Sequence, residues 1–115
     1  MFELCDVEFV QESVEPMCIS FCPSEKNLNV NGKIHGGVLF TLCDDIIGRY
    51  VTHIGRKGAA SDANIHYYRP AEAGERLYAT LYVRKTGRML GVYRVELTNE
   101  AGKLIAEAMF TVAFL

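Results

Sequence analysis

A histidine followed by two glycines, His35-Gly36-Gly37, stands just ahead of two adjacent carboxylates, Asp44 and Asp45. A polar loop, Asn29-Val-Asn-Gly-Lys33, leads into the glycines, and a strongly apolar stretch follows them. Glycine has no Cβ, so its backbone N–H can approach a ligand closely. The first N–H groups of a helix lack internal partners, and the helix dipole makes that end electropositive. Such an end suits a carbonyl oxygen that gains negative charge during reaction. Asp44 can supply the other half of acyl-transfer chemistry, as a base or as a nucleophile.

These residues need a helix to hold them. From Gly36 to about Val51 the apolar residues Val38, Leu39, Leu42, Cys43, Ile46, Ile47 and Tyr50 fall on one side of a helical wheel. The opposite stripe is Gly37, Thr41, Asp44, Asp45, Gly48, Arg49 and Thr52. Asp45 and Arg49 have the spacing of an i,i+4 ion pair on a solvated face. Asp44 shares its side with Gly37, Thr41 and Gly48, and each glycine costs a helix about 1 kcal/mol relative to alanine. A merely solvated face would carry Lys, Glu or Ala there. The small residues suit a backbone or a ligand coming close to Asp44, with the solvated face of an amphipathic helix as the alternative.

The rest of the chain reads as strands. Phe2 to Val10 and Pro16 to Phe21 look extended, the second with a period of two. Residues 23–33 are rich in Asn, Ser, Lys and Gly and read as a loop. After the helix come Ala59–Tyr68, Arg76–Lys85, Met89–Leu97 and Leu104–Phe114, separated by Pro70–Gly74, Thr86-Gly87 and Asn99–Gly102. One helix followed by four strands with short connections implies an α+β fold, an antiparallel β-sheet wrapped around one long central helix. No linker or repeat divides residues 1–115, which read as a single domain.

Geometry constrains how the chemistry could work. At ~1.5 Å per residue, Gly36 and Asp44 of one helix lie on the order of 12 Å apart. An attacking group and an oxyanion donor must converge within about 3 Å of one carbonyl. Two antiparallel helices can do this, each N-terminus meeting the partner's Asp44. The expected active unit is at least a homodimer, with dimer and tetramer both open.

Composition narrows the partners. Half of the 115 residues are hydrophobic, and no apolar run reaches the ~20 residues that span a bilayer. The N-terminus carries acids where a secretory signal would carry Lys or Arg, so a cytoplasmic location is expected. Cys5, Cys18, Cys22 and Cys43 have no CxxC spacing and read as reduced thiols; zinc held by Cys18, Cys22 and a histidine is the minor alternative, and no metal is expected. A net charge of −2 argues against a general nucleic-acid binder and gives no sign of a membrane partner. Ten of the twelve basic residues nevertheless fall between Arg49 and Lys103. Such a local basic patch suits a small phosphorylated ligand better than a duplex.

Beyond this reading, Asn29, His35-Gly36-Gly37 and Asp44 resemble the hotdog-fold acyl-CoA thioesterases, within them the PaaI-like (phenylacetate-pathway) branch. Arg69-Pro70 with Gly74, Val83–Arg88 and Leu97–Ala106 extend the resemblance over most of the chain. It implies a hotdog fold and hydrolysis of an acyl- or aryl-CoA thioester, with coenzyme A as part of the substrate and no separate cofactor. By the same resemblance, Asp44 activates water or forms an anhydride, and Gly36 N–H, beside Gly37, receives the thioester oxygen. Asn29 adds an amide donor or serves only as a turn residue. His35 orients the loop or substrate, or is only a cap or interface residue.

Relatives of this kind often place a Ser or Thr on the strand after the helix. Here the alignment gives Ala60, with Ser61 one residue on, so either the register slips or the helper is missing. Arg84, Lys85 and Arg88, joined by Arg56, Lys57 and Arg69, are candidates for the CoA phosphates. His66, Tyr67 and Tyr68 read as core or interface packing. A non-catalytic acyl-CoA-binding module is the rival reading. A hotdog dehydratase ranks behind it, because no His pairs with an acid in the spacing that chemistry uses.

Overall fold

The computed structural model describes residues 9–115. Strands β1 (Phe9–Val14) and β2 (Met17–Phe21) form a hairpin, and a 3₁₀ turn (Glu25–Asn27) precedes α1 (Gly36–His53). Four longer strands complete the chain: β3 (Gly58–Tyr67), β4 (Leu77–Thr86), β5 (Leu90–Asn99) and β6 (Leu104–Phe114). All pair antiparallel in one six-stranded sheet of order β1-β2-β4-β5-β6-β3. The expected α+β arrangement is present, with the sheet curled on a single long helix.

Helix α1 forms because its apolar residues recur every three or four positions. Val38, Leu39, Leu42, Cys43, Ile46, Ile47 and Val51 are buried. They meet the inner sheet face at Ile19, Phe21, Leu81, Val95, Ala108 and Phe110. Each fully buried large aliphatic contributes about 1.5–3 kcal/mol. The helix ends in a Schellman motif: Arg56 N–H donates to Val51 O (3.0 Å) and Gly55 N–H to Thr52 O (2.9 Å). Gly55 sits at φ +74°, where a side chain would be strained.

Two features differ from the sequence reading. Strand β1 extends through the polar residues Gln11, Glu12 and Ser13 to Val14, while the expected Phe2–Val10 segment lies outside the described residues except for Phe9 and Val10. Among the described residues only β2 pairs with β1, so polar side chains along this outer strand cost little. The loop at 23–33 is also more ordered than a plain loop. Ser24 and Asn27 form a capping box around the 3₁₀ turn, and Asn27 is fully buried.

The sheet has a second outer strand. β3 pairs with β6 along one side and is exposed along nearly its whole length. It carries no Lys or Pro to discourage pairing. Its one irregularity is a bulge between Ala60 and Asp62.

Candidate active site

Construction begins at the start of α1. His35 occupies the N-cap, but its side chain makes no capping bond. Its carbonyl accepts from Val38 N–H (3.0 Å) and Leu39 N–H (3.2 Å), and its N–H donates to Asn27 O (2.9 Å). Among the described residues no acceptor is recorded for the N–H groups of Gly36 and Gly37. That is the free, electropositive helix end anticipated from the glycines.

Asn29 builds the loop beneath this end. Its side-chain oxygen accepts from Asn31 N–H (2.9 Å) and Lys33 N–H (3.1 Å), the pattern of an Asx turn. With the oxygen committed, the two amide hydrogens remain as donors. Asn29 lines a cleft with Gly36, Leu39, Tyr67 and Arg69. The turn role and a donor role are therefore compatible. Lys33 pairs with Glu72, and Ile34 N–H donates to Ala71 O (2.9 Å), tying the loop to the segment after β3.

Tyr67, at the end of β3, comes to the same place. Its hydroxyl donates to Gly36 O at 2.7 Å. Its ring stands 3.1–3.3 Å from where a Gly36 Cβ would sit. Alternation along β3 sends Tyr68 to the other face, where its hydroxyl reaches Glu107 at 3.4 Å. Packing is the expectation for Tyr67 from sequence; its ring contact agrees with that, and the hydroxyl bond is additional. Only the spatial fit of the strand end over the helix start reveals the contact.

The two carboxylates differ. Asp45 Oδ2 accepts from Arg49 Nε at 2.6 Å, the pair expected from spacing. The Arg49 guanidinium also lies 4.7 Å from the centre of the Phe9 ring. No cation pairs with Asp44 among the described residues. Partial burial, and then the neighbouring charge of Asp45, push the Asp44 carboxyl above its ordinary value. Asp44 opens onto a cleft formed with Gly48, Val51, Gly58, Ala59 and Ala60. Behind it, burial pushes the Cys43 thiol up to about 12, leaving an inert core thiol.

The bulge between Ala60 and Asp62 falls at the two residues in question. The bulge gives Ser61 no partner of its own on β6, and its hydroxyl donates to Thr111 O at 3.3 Å. Ala60 lines the Asp44 cleft together with Gly58 and Ala59. Within one chain, no hydroxyl from this strand lines the Asp44 cleft.

The basic candidates divide as well. Arg84, Lys85 and Arg88 are exposed around the β4–β5 turn. Arg56, by contrast, is spent on structure. Its guanidinium donates to Gly87 O (2.9 Å) and Arg88 O (2.5 Å) and covers the Phe114 ring at 3.7 Å. Cys18 accepts a hydroxyl bond from Thr80 (3.4 Å), and no cluster of three or more metal-ligating side chains exists among the described residues. No helix among them is long and apolar enough to cross a membrane.

A curled antiparallel sheet on one central helix, its N-terminus opened by glycines, is the hotdog fold seen in solved structures. The chain belongs to the thioesterase superfamily, whose model matches residues 31–106. It is 41% identical over 90 residues to acyl-coenzyme A thioesterase 13 of Homo sapiens, covering 76% of this chain and 64% of that protein. A Streptococcus pneumoniae hypothetical thioesterase, crystallised with coenzyme A, superposes with a TM-score of 0.90 at 28% identity, covering 94% of this chain and 86% of that one. The Escherichia coli PaaI protein of the phenylacetic acid degradation operon superposes at 0.87 and 28%, covering 95% and 79%.

Proposed function

We propose that the protein is a cytoplasmic acyl-CoA thioesterase, hydrolysing an acyl- or aryl-CoA to the free acid and coenzyme A without a metal. One observation carries the reading. The exposed β3 edge is flanked by Asp44 at its Ala59–Ala60 end and by Gly36 at its Tyr67 end. Pairing this edge antiparallel with a second copy brings the first end of one chain against the second end of its twin. Asp44 then faces the partner's Gly36, which a single helix cannot arrange.

In that setting Asp44 takes a proton from water, and the hydroxide adds to the thioester carbonyl. The oxygen gains negative charge at the partner's Gly36 N–H, with the Asn29 amide in reach, and collapse expels the CoA thiolate. Direct attack by Asp44, giving an anhydride that water then opens, uses the same groups. His35 and Gly37 border the thioester, and Arg84, Lys85 and Arg88 meet the CoA phosphates. The names of the relatives and the coenzyme A bound to the pneumococcal protein support this substrate class.

Ala60 in the Asp44 cleft favours one rival, an acyl-CoA-binding module without turnover. Thiol release from a panel of acyl-CoAs, for wild type and Asp44→Ala, separates them. The enzyme reading expects turnover that the substitution abolishes while the fold survives. Tight binding without turnover in the wild type would replace it with the binding module.

A further inference from the structure

An oxyanion donor works only when its direction is fixed, within about 0.5 Å of the productive geometry. The start of α1 looks poorly suited to that. Gly36 and Gly37 are the most flexible residues available, and the His35 side chain provides no cap. We propose that Tyr67 is the positioning residue that fixes this turn, through its hydroxyl on the Gly36 carbonyl and its ring against the Gly36 Cα. This deepens the thioesterase reading and rests on it.

The contact restrains the turn twice. The 2.7 Å hydrogen bond holds the plane of the Gly36–Gly37 peptide. The ring fills the space a Cβ would need, at 3.1–3.3 Å, so the glycine admits the ring and the ring limits the glycine. A carbonyl that accepts a hydrogen bond also polarises its own peptide, strengthening the N–H on the far side, here that of Gly37. Burial first, and the Cys43 thiol second, push the Tyr67 hydroxyl above its ordinary value, so it keeps its proton and remains a donor. Because Tyr67 closes β3, the helix start is tied directly to the edge that a second copy would occupy.

The test compares wild type with Tyr67→Phe, which keeps the ring and loses the hydroxyl. In a ¹H–¹⁵N spectrum the Gly37 amide should move upfield while distant resonances stay in place. The kcat for the best acyl-CoA should fall about 3- to 10-fold, as expected for one net hydrogen bond, with KM within about twofold. An unmoved Gly37 amide, or a wild-type kcat, overturns the proposal. A second arm uses Gly36→Ala with and without Tyr67→Ala. Removing the ring should restore the melting temperature lost to the clash and leave kcat low; recovery of both would reduce Tyr67 to packing and overturn its positioning role. Absence of turnover in the wild type would instead refute the thioesterase reading, and the Gly37 amide would then decide the clamp by itself.

Discussion

The two ends of β3 border two very different regions. At its Tyr67 end the chain is knitted: the Asx turn at Asn29, the Ile34–Ala71 bond, the doubly bonded His35 carbonyl and the Tyr67 hydroxyl hold the helix start. At its Gly58 end lies an open cleft of glycine, alanine and valine around a carboxylate with which no cation pairs among the described residues. One region is bonded throughout within the chain, and the other lies open. A folded protein keeps a charge poorly compensated when something outside the chain is meant to meet it, and the open β3 edge runs between the two regions.

Asp44→Asn is the strongest way to break this contrast. It keeps shape and removes charge, and we expect the thiol-release rate to fall at least ~10²-fold. Asp45→Asn, one residue away but already paired with Arg49, should stay within about threefold of wild type. Equal losses in the two variants would mean that the carboxylates act alike and that the open cleft has no special role.

The next test acts on the edge. Asp62 and Asn64 are exposed in the chain and lie near the middle of β3. Converting both to Lys sets like charges across any β3–β3 pairing, at a cost of several kcal/mol, while leaving the chain's own core untouched. Sedimentation should show the dimer's dissociation constant raised by at least ~10-fold, with activity lost in parallel. A monomeric variant of undiminished activity would separate the two regions for good.

How far the sequence revealed these regions follows from the kind of interaction each contains. Periodicity and local chemistry exposed α1, the Asp45–Arg49 pair and the four long strands, because each depends on residues near one another in the chain. The bulge at Ser61 depends on the β3–β6 register, which no local pattern reveals. Two long-range contacts follow the same rule. Arg56 reaches a turn 31 residues on, and Tyr67 reaches a carbonyl 31 residues back, distances at which side-chain type carries no information. The same local logic ends the first strand at Val10, short of Gln11–Val14, whose polar residues are tolerated because only one neighbour among the described residues covers this strand.

A smaller effect should appear in the pH profile. If Asp44 acts as a carboxylate, activity rises as it loses its proton, and the acid limb lies above the usual aspartate range because of burial and Asp45. Asp45→Asn removes the second cause and frees Arg49, so the limb should move to lower pH. A limb unmoved or shifted upward would show that another group controls it.

The smallest effect concerns stability. The raised carboxyl means that the folded state binds the Asp44 proton more tightly than the unfolded chain does. Between the unfolded value and the higher folded one, the native state holds more protons, so stability falls as pH rises. Above both values the cost is fully present; below both it is gone. At neutral pH Asp44→Asn should therefore raise the melting temperature, by about 1–3 °C for a group this exposed, and the gain should vanish in acid. Asp45→Asn loses an ion pair and should give no such rise. If Asp44→Asn melts lower than wild type at neutral pH, the carboxylate is already well satisfied inside one chain, and the difference between the two ends of β3 disappears.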